Sequence, residues 1–209
     1  MSLKLDWCSS EAIKYACSQW HYSKCVPAGK ATKIGIWEEG IYIGCIVFSL
    51  GTNRYIGMPY GLHSTEVCEL TRIAMDRHKT PVSKIISIGT KMCSRHSPGL
   101  KLIVSYADPR HSHLGIVYQA SNWVYCGTNE NHPHRSPAYK APGGKIVQWR
   151  SMAEIIKKNG ARYTRAGAAS LGYEPLRFIP KHKYLYPLTP EMRELAETLR
   201  KPYPKTMPQ

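Results

Sequence analysis

The sequence predicts an α+β fold, with a mixed, mostly antiparallel central sheet flanked by helices and a basic C-terminal extension. Thr32–Trp37 and Ile41–Leu50 are β-branched and aromatic runs separated by Glu38-Glu39-Gly40, the pattern of a hairpin. Lys101–Gly127 reads as strand, turn, short helix, strand, with Asp108 at the carboxyl end of the first strand. In open α/β sheets ligands bind at that end. A hydrophobic content of 43% is enough to build a core around such a sheet.

Each element follows from local pattern. Ser9 or Ser10 can cap a helix running to about Gln19, with Ala12, Ile13, Ala16 and Cys17 on one face. Trp20-His21-Tyr22-Ser23-Lys24 breaks it before Pro27 and Gly29. After the hairpin, the glycine-rich stretch 51–63 reads as a long loop. Glu66–Met75 is a third strand, with Val67, Glu69, Thr71 and Ile73 on one face and Cys68, Leu70, Arg72 and Ala74 on the other. Asp76–Thr80 turns into a helix beginning near Pro81, whose buried side is Ile85, Ile86, Ile88, Gly89 and Met92. Leu102-Ile103-Val104 is a buried strand, stopped by Asp108-Pro109. Leu114, Val117 and Tyr118 stand at helical spacing, and Trp123–Cys126 is a further short strand closed by Gly127. Residues 128–144 are polar and turn-rich, Lys145–Trp149 is a brief strand, and Ser151 caps a helix through Lys158. Arg177, Lys181, His182 and Lys183 interleave with Phe178, Tyr184 and Tyr186, and Glu191–Arg200 is a last helix. The domain boundary is expected at 150, leaving 151–209 as a basic helical and strand extension packed on residues 1–150.

Charge narrows the function. Lys and Arg number 29 against 14 Asp and Glu, a formal net charge of +15, which points to a polyanionic partner, nucleic acid above all. No segment has the apolar length of a membrane span, and Met1–Asp6 has no signal-peptide pattern, so the expected location is the cytoplasm, with no membrane partner. The seven cysteines include no CxxC pair, the usage of a reduced compartment.

Four constellations carry chemistry. The turn Arg77-His78-Lys79-Thr80 before a helix can hold a phosphate on backbone amides and cations, or be an ordinary solvated basic loop. Asp108 with Tyr118 and the His111/His113 pair can perform acid–base work on an amine, or Asp108 can simply cap a helix while Tyr118 packs inside. His21-Tyr22 can line a pocket or ligate iron with a carboxylate from elsewhere, or be structural. The basic and aromatic residues from Tyr163 to Tyr186 suit a nucleic-acid backbone and its bases, or a strand that buries its tyrosines. His132 and His134 extend the histidine cluster in sequence.

The order of elements resembles the GNAT (acyl-CoA N-acetyltransferase-like) arrangement, which makes residues 1–150 the catalytic domain. In that arrangement the strand ending Arg72-Ile73-Ala74-Met75 and the turn before Pro81 match the place that cradles the CoA pyrophosphate. The resemblance therefore implies an acyl-CoA-like donor, acetyl-CoA included, near Arg72, Arg77, His78, Lys79, Thr80 and Ser83, although the turn lacks the glycine-rich pattern. Trp20–Lys24, Glu69-Leu70-Thr71-Arg72, Ser105–Asp108 and Gly115–Trp123 together resemble the Mom family of phage DNA-modification proteins. That resemblance covers about residues 6–190. It implies conversion of adenine in double-stranded DNA to N6-carbamoylmethyladenine (acetamidoadenine), protecting phage DNA from restriction in the host cytoplasm. It implies His21, Tyr22, Asp108 and Tyr118 as active-site residues, and an iron ion with His21, Tyr22 and Asp108 as its ligands. The target amine is delocalised into its ring and buried in a duplex, so a proton acceptor and a flipped base are expected, with Tyr22, Tyr60 or Trp123 available to stack on the base.

A GNAT-type acetyltransferase acting on a small amine or a protein, and a non-enzymatic DNA-binding protein, stand as the alternatives. The first calls for no such basic surface, and the second for no such cluster of acid, histidine and tyrosine.

Overall fold

The computed structural model describes residues 2–27, 29–50, 55–129, 138–162 and 164–205. The expectations for His132, His134 and Tyr163, and for the start of the 51–63 loop, fall outside the described residues. The chain divides into two compact units, Met1–Thr128 with Lys181–Gln209, and Asn129–Pro180.

In the first unit, Leu3–Trp7 (β1) pairs with Ala31–Glu38 (β2), which forms the expected hairpin with Ile41–Ser49 (β3). Ser10–Trp20 (α1) separates β1 from β2, and the Ser9 side chain accepts from the Ala12 amide, as its N-cap position requires. Val67–Met75 (β4) pairs antiparallel with β3, and Val82–His96 (α2) leads to Leu102–Ala107 (β5). Ile116–Gln119 (α3) and Val124–Thr128 (β6) complete the Lys101–Gly127 unit. The sequence reading had no strand at β1, whose half-buried Leu3 and Leu5 join the core from the sheet edge.

The expected boundary at 150 differs from the observed division. The chain leaves the sheet after β6 and returns as His182–Pro187 (β10), which sits between β5 and β6 and pairs antiparallel with both. The order is β1-β2-β3-β4-β5-β10-β6, and among the described residues only β4 and β5 pair in parallel. Pro190–Thr198 (α6) follows, capped by Thr189. Alternation along β3 and β5 assigns the helices to faces. Ile46, Phe48 and Ile103 face α2, Cys45 and Val47 face α1, and Leu102 and Val104 share a cluster with Ala196 of α6.

One irregularity shapes the site. Val47 pairs with Arg72 and Phe48 with Leu70, so Thr71 is an extra residue in β4, a β-bulge. The strict alternation expected for this strand is thereby broken. Ile73 joins Cys68 and Leu70 in the α2-side cluster, while Arg72, by register, shares the opposite face with Glu69. The parallel pairing of β4 with β5 also stops at Glu69–Val104, although β5 continues against β10 as far as Ala107–His182. Beyond Glu69 the two strands part, and the gap opens just where the bulge begins.

The second unit is a small sheet ordered β8-β7-β9, from Ile146–Gln148 (β8), Ala138–Lys140 (β7) and Glu174–Pro175 (β9). Trp149–Lys158 (α4) and Arg165–Ser170 (α5) complete it, with a core of its own in Tyr139, Met152, Ile156 and Ala168. No helix among the described residues is long and apolar enough to cross a membrane. All seven cysteines are free thiols.

Candidate active site

The parted ends of β4 and β5 meet the loop that follows α1. His21 is buried there, and its Nδ1 accepts the Ser23 amide at 3.1 Å and lies 2.8 Å from the Ser23 hydroxyl. Arg72 ties this loop to the sheet. Its Nε donates to the Cys25 carbonyl at 3.2 Å, its Nη1 to the Thr71 carbonyl at 2.7 Å, and its Nη2 lies 3.5 Å from Cys25 Sγ. Burial, with the Arg72 guanidinium and the neighbouring His113, His111 and Lys181, pushes His21 down to about 4, so the ring is neutral at physiological pH.

At the end of β5, Asp108 is 6% exposed. Its Oδ1 accepts the Arg110 amide at 3.1 Å, capping the turn Pro109–His111, and its Oδ2 is 2.9 Å from Lys181 Nζ. Burial alone would raise this carboxyl, but the Lys181 ammonium and the Arg110 amide outweigh it and hold the group below the usual carboxylate range. The turn carries His111 onto Tyr22, their ring centroids 3.9 Å apart, while His21 covers the other side of Tyr22 at 4.2 Å and His113 meets it edge-on at 5.7 Å. His21, Tyr22, Asp108, His111 and His113, separated by some 90 residues of chain, are thus one cluster.

Two residues missing from the sequence reading of the site belong to it. Lys181, assigned to the basic tail, is the partner of Asp108. Glu69, assigned to the face opposite Arg72, is turned onto the same face by the bulge, and burial lifts its carboxyl to about 7 against the pull of Lys181 and Arg72. Glu69 stands in the Glu69–Arg72 run that carries the family resemblance, but nothing local gives it a role, and nothing local announces Lys181. The bulge and the return of β10 are long-range events.

Tyr118 enters from the α2 side. Its hydroxyl is 2.8 Å from Ser105 Oγ, which lies 2.9 Å from the Leu70 carbonyl, the first β4 carbonyl past the end of β4–β5 pairing. Burial pushes Tyr118 up to about 12, so it keeps its proton at any physiological pH.

The Arg77–Thr80 turn is partly committed elsewhere. Its Lys79 and Thr80 amides donate to the Glu38 carboxylate at 2.8 and 2.7 Å. Hydrogen bonds from the Thr80 side chain and the Lys79 and Thr80 amides hold Glu38 down at about 2. These amides are therefore not available to a phosphate as expected, because a carboxylate of the protein already holds them. Arg77 stands exposed beside Asp76, His78 Nδ1 is 3.0 Å from the Thr80 carbonyl, and Ser83 offers its carbonyl to the Ser87 and Ser121 hydroxyls. The start of α2 has no side-chain cap, so a phosphate there would meet the first amides of α2 together with the Arg77 and Lys79 side chains. Arg72, expected near the cofactor, spends all three guanidinium nitrogens on the loop and its own strand.

The expected iron ligands His21, Tyr22 and Asp108 gain no support as a metal site. By accepting the Ser23 amide on Nδ1, neutral His21 carries its proton on Nε2 and presents a donor there. Both Asp108 oxygens are engaged, and Tyr22 lies between two imidazoles. Among the described residues no three His, Cys, Asp or Glu are grouped to hold a metal ion. Base stacking also needs revision. Trp123 is 0% exposed and Tyr60 is buried, so neither is open to a base, whereas Tyr22, stacked against His21 and His111, is still 43% exposed.

The chain matches a family model, a phage protein and several solved structures. The model of the Mom protein family matches residues 2–205. The methylcarbamoylase mom of Escherichia phage Mu is 26% identical over 162 residues, covering 69% of this chain and 67% of that protein. Similar solved structures include the IAA acetyltransferase of Bacillus cereus, with a TM-score of 0.48 and 12% identity, covering 90% of this chain and 100% of that one. They also include the aminoglycoside acetyltransferase AAC(6')-Ib with coenzyme A and kanamycin, with a TM-score of 0.45 and 12% identity, covering 73% and 98%.

Proposed function

The chain belongs to the Mom protein family, and from that premise we propose that it is a DNA-modifying transferase converting adenine to N6-carbamoylmethyladenine (acetamidoadenine), which shields phage DNA from host restriction. The observation that carries this reading is the convergence of Glu69, Asp108, Tyr118 and Lys181 with His21 and Tyr22 where β4 and β5 part.

The reaction forms a bond from adenine N6 to carbon and releases one N6 proton. Glu69 is the proton acceptor that fits best, because its carboxyl near 7 is half ionised at neutral pH and only weakly acidic once protonated. Asp108, held ionised by Lys181, is the poorer base and acts by fixing the turn that carries His111 and His113. Tyr118 keeps its proton to about 12 and can give it to the leaving group. The parting of β4 from β5 beyond Glu69 is the feature that supports an extended acyl-CoA-like donor there. A thioester donor would give up its carbonyl carbon with the thiol as leaving group and leave N6 acylated, so the carbamoylmethyl product requires a donor that presents its methylene carbon to N6 and carries the leaving group there.

Nucleoside mass spectrometry on plasmid DNA from expressing cells tests the reading, with Glu69→Gln beside the wild type. A heavier deoxyadenosine present with the wild type and absent with the variant is expected. Carbamoylmethyl and methylcarbamoyl groups share one composition, so fragmentation distinguishes them, whereas an acetyl-sized addition would move the reading to plain acyl transfer. Unmodified DNA from soluble wild-type protein would overturn it.

A further inference from the structure

We infer that the corner between α4 and α5 in the inserted unit Asn129–Pro180 is a grip for the phosphate backbone of duplex DNA, an inference that rests on the DNA-substrate reading above.

The unit holds nine Lys and Arg against three Asp and Glu in 52 residues, whereas the other 157 residues hold 20 against 11. The excess per residue is therefore twice as dense in the insert. It is also concentrated, since Lys157, Lys158, Arg162 and Arg165 fall within nine residues that contain no acid. A surface charged only for solubility intersperses the two signs. Helix-dipole compensation accounts for Lys157 and Lys158 in the last turn of α4, but not for Arg162 and Arg165, which lie past it.

The corner is built rather than frayed. The Gly160 amide donates to the Lys157 carbonyl and the Ala161 amide to the Ile156 carbonyl, closing α4 with Gly160 at φ +66°. Thr164 then caps α5 by accepting from the Gly167 amide, and a Cβ at Gly167 would lie 2.0 Å from the Arg162 carbonyl. Glycine is required at 167 for the chain to turn this tightly. Met152, Ile156 and Ala168 face the unit's own core, which leaves Lys157, Lys158 and Arg162 exposed. No ion pair among the described residues engages these three. Cations fixed at the junction of two capped helices suit a rigid, regularly spaced polyanion. Among the described residues of the corner the exposed charged groups are all cations, which suit recognition of backbone and not of sequence.

The test is the salt dependence of binding of the full chain to a labelled DNA duplex. Four proteins are compared: wild type, Lys157→Gln/Lys158→Gln/Arg162→Gln, the charge-keeping Lys157→Arg/Lys158→Arg/Arg162→Lys, and the control Lys84→Gln/Lys91→Gln/Arg95→Gln on exposed α2 positions. The neutralised corner should bind about tenfold or more weakly at about 0.15 M salt, and its slope of log affinity against log salt should fall by about 2 to 3, the release expected for three phosphate contacts. The charge-keeping variant and the α2 control should retain the wild-type slope. A wild-type slope in the neutralised corner, or an equal drop in the control, would overturn the grip while leaving the DNA reading intact. Wild-type protein that does not bind duplex would overturn both. Loss of binding to anionic phosphatidylserine vesicles with unchanged DNA binding would overturn the inference in favour of a membrane surface.

Discussion

Lys181 Nζ stands 2.9 Å from Asp108 Oδ2, so the first residue after the insert neutralises the acid that ends β5. The pair is partly buried, with the Asp108 side chain 8% and the Lys181 side chain 42% exposed. Removing the lysine would leave a desolvated carboxylate stabilised by the Arg110 amide and the more distant Arg110 charge. Lys181→Met is expected to destabilise the fold by about 1–3 kcal/mol, less than a fully buried pair because water screens the lysine. The sign with pH follows from the lowered folded-state value of Asp108. Its stabilisation is present above the ordinary aspartate range and is lost as pH falls through the folded value. Urea titrations from pH 3 to 7 should therefore show the wild type gaining stability with pH and Lys181→Met gaining much less.

Glu69 has the opposite sign. Its folded-state value of about 7 lies above the ordinary glutamate value of 4.5, so folding favours the protonated form, and stability is lost as pH rises between the two. Glu69→Gln should be more stable than the wild type above pH 7, on the order of 2 kcal/mol, while modification falls by at least about 100-fold. In the wild type, kcat/KM should climb through pH 7. A variant as active as the wild type would remove Glu69 from the reaction.

These two residues show where sequence reasoning stops. The hairpin, α1 with its Ser9 cap, α2 and the Leu102–Ala107 strand follow from periodicity and turn chemistry over a few residues, and those elements were legible. Asp108, His21 and Tyr22 were legible as candidates because unusual residue types sit at breaks in the pattern. Glu69 was not, because a one-residue bulge at Thr71 inverts every face assignment made by alternation beyond it. Lys181 was not, because nothing local says that the chain after a 52-residue insert returns to the middle of the first sheet. The Glu38 bond to the Lys79 and Thr80 amides was hidden for the same reason, since it joins residues 41 and 42 positions apart.

Gly115 sets the approach of Tyr118. It lies at φ +80° immediately before α3, and a Cβ there would come within 2.3 Å of the Tyr184 ring. Tyr184 in turn donates to the Leu114 carbonyl and receives the Gln119 side chain at 3.0 Å, so it has no easy path aside. Gly115→Ala should cost about 2–4 kcal/mol from backbone strain and overpacking together, read as a fall in the urea midpoint with an unchanged slope. An unchanged midpoint would mean that the ring yields freely.

Ser105 links Tyr118 to the open edge of β4. Ser105→Ala leaves the Tyr118 hydroxyl buried without its partner, at a cost of about 1–3 kcal/mol. Because Tyr118 is the proposed proton donor, the variant should also lower kcat while leaving KM for DNA within about twofold of the wild type. A KM effect without a kcat effect would assign Tyr118 to substrate binding.

Arg72 is expected to act as a positioning residue. Its guanidinium holds the Cys25 carbonyl and thiol and the Thr71 carbonyl at once, a fork that one ammonium cannot reproduce. Arg72→Lys keeps the charge but releases the loop that carries His21 and Tyr22. Amide hydrogen exchange should quicken at residues 21–25, kcat should fall about tenfold or more, and global stability should change by no more than about 1.5 kcal/mol. A cofactor-binding arginine would behave differently, because the retained lysine charge would still attract a phosphate. The donor KM would then rise modestly while exchange in the loop stayed as slow as in the wild type. Fast exchange with an unchanged donor KM would establish that Arg72 serves the site by fixing His21 and Tyr22 against the end of β5.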